Sequence, residues 1–144
     1  MIPKFRAWDK ILKKMNDVTA IDFSTKPFRV FYSAYGEDNY FNQDAILMQS
    51  TGLKDKNGVE IYEGDILLSA ASENQEDWKK WQVHYADGRF LVDYKQTPKD
   101  KRKRKNLEIE DLCEDNVWLY GLEVIGNIYE TPELRRNLND SKEM

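Results

Sequence analysis

Residues 81–94, WQVHYADGRFLVDY, constrain this chain more than any other stretch. Apolar and polar residues alternate on both sides of Asp87-Gly88, and that dipeptide suits a two-residue hairpin turn whose centre requires positive φ. The turn fixes the register: Tyr85 opposite Phe90, Val83 opposite Val92 and Trp81 opposite Tyr94. These pairs form the expected core face, and Gln82, His84, Leu91 and Asp93 take the other.

Around this hairpin the chain reads as more short strands. Residues 4–8, 15–23 and 27–32 are rich in aromatic and β-branched side chains and are separated by Lys, Asn, Asp or Ser clusters. Residues 34–44 read as a loop or irregular turn, and AILMQST as a further strand. GDILLSA is a short apolar run opening at a glycine. Residues 72–80 form a polar connection, and 95–106 a mobile loop. NLEIEDLCEDN fits a short helix or a strand, whereas VWLYGLEVIGNIYE reads as a strand apolar on both faces around Val124, Ile125 and Ile128. Thr131, Pro132 and Glu133 are suited to open a short closing helix in TPELRRNL, as N-cap, first helical residue and acidic first turn. The expectation is a mostly β protein with minor α content, with a β-rich part over 1–50, a barrel-like part over 51–138 and a frayed tail at 139–144.

Composition narrows the function classes. The chain has 144 residues, 33% of them charged, with a net charge of −4. Four Trp and eight Tyr supply apolar surface for a core. No apolar run approaches the ~20 residues of a membrane-crossing helix, and MIPKFRAWDK lacks the apolar core of a signal peptide, so a cytoplasmic protein without membrane partners is expected. Cys113 is the only cysteine and His84 the only histidine. An internal disulfide, a cysteine-rich zinc site and a two-histidine metal site are thereby excluded.

Three segments resemble the YopX family of phage and prophage proteins: KFRAWDK, LMQSTGLKDKNGVEIYEGDIL and EVIGNIYETPEL, in that order. Ser50 stands where members often carry an aromatic residue, and KILKKMND and the basic loop look individual to this chain. The resemblance implies a small phage-encoded cytoplasmic protein whose C-terminal half is similar to an SH3-type β-barrel. It supplies no catalytic residues, so function must be argued from this chain's own side chains.

The middle segment invites a metal or phosphate reading that its residues do not sustain. Placing Gly58 at the sixth position of a calcium loop puts Leu53 first and Gly64 twelfth, so both end ligands are missing. Asp55, Asn57 and Gly58 are expected to form a structural turn, and Gly64 and Asp65 a sharp strand entry with local backbone bonds, since an acidic side chain there repels phosphate. Asp87 and Gly88 complete the structural turns. On the hairpin register His84 is diagonal to Asp93, a pairing that lacks a neighbouring nucleophile. Lys99, Lys101, Arg102, Lys103, Arg104 and Lys105 form the one basic run, carrying +5 over 99–105, and residues 108–115 answer it with −5. That run is the candidate contact for nucleic acid or a partner. The leading expectation is a protein without enzymatic activity, metal or cofactor, acting as an interaction or regulatory accessory on a phage or host protein or on itself as a homo-oligomer. A nucleic-acid-binding accessory is the alternative.

Overall fold

The structure, a computed structural model, describes residues 4–34, 36–41, 44–69, 73–75, 78–94 and 108–135. The basic run 99–105, the loop assigned to 95–106 and the tail 139–144 lie outside the described residues. Two antiparallel sheets and one short helix make up the described fold, and the chain divides into two compact units, Met1–Ser50 and Thr51–Met144.

In the first unit, β1 (Phe5–Asp9), β2 (Lys14–Asp22), β3 (Arg29–Ala34), β4 (Glu37–Phe41) and the first half of β5 (Ile46–Lys54) lie in the order β4-β3-β2-β1-β5. Ala7, Val30 and Tyr32 are buried at its centre, with Val18, Tyr40, Ala45 and Leu47 packed around them. β4 corrects the loop expected over 34–44. Glu, Asp and Asn disfavour strands in isolation, but Tyr40 pairs with Tyr32 across the sheet, their rings 5.7 Å apart and edge to face. This packing outweighs the local preference.

The second unit holds β6 (Glu60–Tyr62), β7 (Asp65–Ser69), β8 (Lys79–Ala86), β9 (Arg89–Tyr94), β10 (Glu108–Asp111), α1 (Glu114–Tyr120), β11 (Leu122–Asn127) and a 3-10 turn at Pro132–Arg135. β6 neighbours β5, and the other five strands form a sheet in the order β10-β9-β8-β7-β11. That sheet is not a closed barrel: β10 and β11 are its edges. The hairpin register is as read, with Tyr85 opposite Phe90 and Val83 opposite Val92. Asp87 and Gly88 have φ of 55° and 76°, as a type I′ turn requires. Trp81, Val83 and Val92 are buried, but Tyr85 at the tip is half exposed, its ring 5.0 Å from that of Phe90. The core face therefore ends before the turn does.

Ile61, Leu67, Trp81, Val83, Val92, Leu112, Val117 and Leu122 form the core of this unit. β7 is an interior strand, flanked by β8 and β11, and Asp65, Ile66 and Leu67 are all buried, whichever face they take. The strand assigned to VWLYGLEVIGNIYE is corrected. Its first residues belong to α1, and β11, although read as apolar on both faces, lies at an edge of the sheet with a bulge between Val124 and Gly126. Seven residues are too few for a stable isolated helix. α1 holds because Val117 is buried, Glu114 and Asp115 face its positive end, and Gly121 closes it at φ 58°, donating to the carbonyls of Trp118 and Val117.

Candidate functional site

Four buried polar side chains organise the turns of the two units, each by accepting backbone amides. Asp55 is the most heavily used. Its Oδ1 accepts the amides of Asn57 and Val59, and its Oδ2 that of Val124, each at 2.8 Å. The loop backbone is equally occupied: Asp55 N–H donates to Val59 O, Gly58 N–H to Asp55 O and Lys56 N–H to Leu122 O. Through Lys56 and Asp55 the loop covers the outer edge of β11, which otherwise presents unpaired amides and carbonyls. A metal or phosphate would have to break this network.

Asp65, 1% exposed, accepts the Tyr62 amide at 2.7 Å, while Gly64 donates to Val83 O and accepts from Ile128. Asn127 Oδ1 accepts the amides of Tyr129 and Glu130, and the Asn127 amide donates to Thr131 Oγ1. That Thr131 hydroxyl returns a bond to Asn127 O at 3.0 Å. In the first unit Asp9 Oδ1 accepts the amides of Ile11 and Leu12, and Oδ2 accepts the Tyr32 hydroxyl at 2.8 Å. Sequence reasoning missed Asp9 and Asn127 as brackets, although an Asp or Asn just before a turn is the available signal.

His84 Nε2 lies 2.8 Å from Asp93 Oδ2, the diagonal contact read from the register, but without an aligned hydrogen bond. Arg89 pairs with Asp111 at 2.9 Å. Cys113 is exposed just before α1. Among the described residues no group of three His, Cys, Asp or Glu side chains is arranged to hold a metal, and no helix is long and apolar enough to cross a membrane. Lys101, Arg102, Lys103, Arg104 and Lys105 lie outside the described residues.

One concave surface in the second unit combines shape with unused side chains. A groove of about 490 Å³ runs between the loop carrying Gly52, Lys54 and Gly58 and the helix carrying Glu114 and Trp118. Trp118 and its neighbour Leu119 are 70% and 68% exposed. In helical projection Glu114, Trp118, Asp115 and Leu119 share one arc, and Val117 and Tyr120 turn to the core. Lys56 on the opposite wall pairs with Glu123 at 3.5 Å. Sequence reading missed this face because it placed Trp118 in a strand; the acidic pair three to four residues before an apolar pair, ending at Gly121, was the signal for an exposed helix face.

Comparison with known families decides the relationship, for the family model described as "YopX protein" matches residues 4–135. The chain belongs to the YopX family. A crystal structure of protein EF1440 from Enterococcus faecalis superposes with a TM-score of 0.64 at 37% identity, covering 94% of this chain and 99% of that one. The X-ray structure of YopX from Bacillus subtilis gives a TM-score of 0.56 at 21% identity, covering 92% and 95% of the two chains, and shares the fold. No curated protein matches the chain. The segments that carry the YopX resemblance contain Asp9, Asp55, Asp65 and Asn127. Their chemistry in this chain is to bind backbone amides.

Proposed function

We propose that this YopX-family chain is a non-enzymatic interaction protein whose working surface is the exposed face of α1 and the groove beside it. The observation that carries this reading is the exposure of Trp118 on the wall of a groove, with Leu119 exposed next to it in the chain. Single exposed apolar residues are ordinary, but a Trp at the wall of a concavity with an exposed Leu beside it is the kind of anchor that dominates binding energy. The polar side chains of the signature segments are committed to the backbone, which supports a scaffold role for them and leaves α1 as the place where chemistry faces outward. In this reading the protein is phage-encoded and acts in the host cytoplasm, as the family resemblance implies, on a phage or host protein. The second unit is read as an open relative of SH3-type barrels, in which the Asp55 loop covers the β11 edge instead of a closing strand.

The test is quantitative pull-down from host cells with the wild-type chain and with Trp118→Ala, before and after phage induction. Partners recovered with the wild type and depleted in the variant support the reading. Equal recovery by both chains removes α1 as the working surface.

A further inference from the structure

The geometry points to a cationic peptide segment of a partner protein, bearing arginine or lysine next to an apolar residue, as the occupant of the α1 groove. This inference rests on the interaction reading above and names the partner's chemistry. Charge is the first support. Residues 108–135 contain eight carboxylates and one arginine, so α1 sits in the most acidic part of the second unit's described chain. Glu114 and Asp115 are exposed beside Trp118 and have no ion-pair partner among the described residues. On the opposite wall Lys56 is neutralised by Glu123, which leaves Lys54 as the one uncompensated cation among the described lining residues.

Trp118 adds the second support. Its indole is largely uncovered and attracts a cation over its face, more strongly for a guanidinium that stacks. An arginine lying on the indole comes within reach of a carboxylate one helical turn away at Glu114. The apolar neighbour of that arginine then falls over Leu53 and the two glycine positions 52 and 58, where no side chain obstructs it. A groove of about 490 Å³ is within the ~300–1,000 Å³ range of small-ligand pockets, large enough for a few peptide side chains. The same acidic surroundings repel a nucleic-acid backbone, so a peptide is favoured over a polynucleotide at this face.

The test measures binding of fluorescein-labelled (Arg-Leu)₃ and (Glu-Leu)₃ peptides to the full chain by anisotropy. The variants are Trp118→Ala, the double variant Glu114→Gln/Asp115→Asn and, as a control on the exposed 3-10 turn, Glu133→Gln. All four positions are exposed, so the variants are expected to fold, which circular dichroism checks. The expected result is binding of (Arg-Leu)₃ only, weakened about tenfold by Trp118→Ala and about fivefold or more by the double variant, with Glu133→Gln within about twofold of wild type. Equal weakening by Glu133→Gln, or no change with Trp118→Ala, shows diffuse attraction to an acidic protein and overturns the inference. Trp118-dependent binding of a single-stranded oligonucleotide, or Trp118-dependent self-association in sedimentation, overturns it in favour of those occupants. If Trp118→Ala abolishes capture of partner proteins while (Arg-Leu)₃ binds no better than (Glu-Leu)₃, the interaction reading stands and the cationic partner falls.

Discussion

Replacing Asp55 by alanine strands three amide donors at once, those of Asn57, Val59 and Val124. Asn57 and Val59 are exposed turn residues, so water reaches their N–H groups in the variant at modest cost. Val124 is different. Its amide lies on the β11 edge that the loop covers, and its partner Asp55 is only 6% exposed. A hydrogen bond to a charged group contributes about 1.5–3 kcal/mol net, and an unsatisfied buried donor costs about 1–3 kcal/mol. One such bond lost at Val124, together with two partly re-solvated ones, comes to about 3–5 kcal/mol. For a domain of 60–100 residues each kcal/mol moves the midpoint by about 4–8 °C, so Asp55→Ala is expected to lower the melting temperature of the second unit by at least about 12 °C. Asp55→Asn retains the shape but sets an amide donor toward one of the three N–H groups, and is expected to cost about 2–3 kcal/mol. Thermal unfolding reads the magnitude, and hydrogen exchange at Val124 reads the cause. A shift below about 4 °C, or unchanged protection at Val124, refutes the argument that Asp55 bridges the loop to β11.

Gly126→Ala drives a Cβ into Thr131 Oγ1 and to 2.7 Å from Leu134 Cδ1, and is expected to destabilise the second unit by about 1–3 kcal/mol in urea unfolding. The double variant Gly126→Ala/Thr131→Ser, which keeps the hydroxyl and its clash, should recover little of that loss. Tyr32→Phe removes the hydroxyl that donates to buried Asp9; a loss of about 1–3 kcal/mol is expected, confined to exchange protection in the first unit. Asp22 accepts the Ser24 hydroxyl at 2.6 Å and the Ser24 amide at 2.9 Å, and with help from Arg29 these hold its carboxyl below the ordinary aspartate range. A depressed folded-state value means that the contribution to stability is present above the unfolded value and is lost as pH falls through the folded one. Carbon-detected NMR titration should show Asp22 moving upward in Ser24→Ala, and no movement would count against the hydroxyl as the leading cause.

Much of the fold is legible from local chemistry. Asp87-Gly88 is a turn on sequence grounds because few other pairs tolerate positive φ twice in succession, and the pairings of Val83 with Val92 and Tyr85 with Phe90 follow from it. The His84–Asp93 contact follows from the same register. At β4 and α1 local reading failed. Glu37–Phe41 is weakly β-forming and becomes a strand because Tyr40 packs on Tyr32. Glu114–Tyr120 carries β-favouring Val, Trp and Tyr, and becomes a helix because Val117 fills a core position and Gly121 stops the turn.

The candidate site divides in the same way. Local spacing was enough to reject a calcium loop at Asp55 and to assign that residue to a turn, since ligand positions and Asx bonding are matters of neighbours in the chain. It could not reveal that the same carboxylate reaches Val124, 69 residues away, because that bond exists only once β11 has been laid beside the loop. Nor could it reveal the uncovered face of Trp118, since a tryptophan in an apolar run has no local reason to point outward. What the sequence by itself determined is the β character, the turns and the family, all properties of short range. Which edge the loop covers, and which aromatic residue faces solvent, were decided only by tertiary packing, because burial is a property of the whole set of neighbours and not of any one segment.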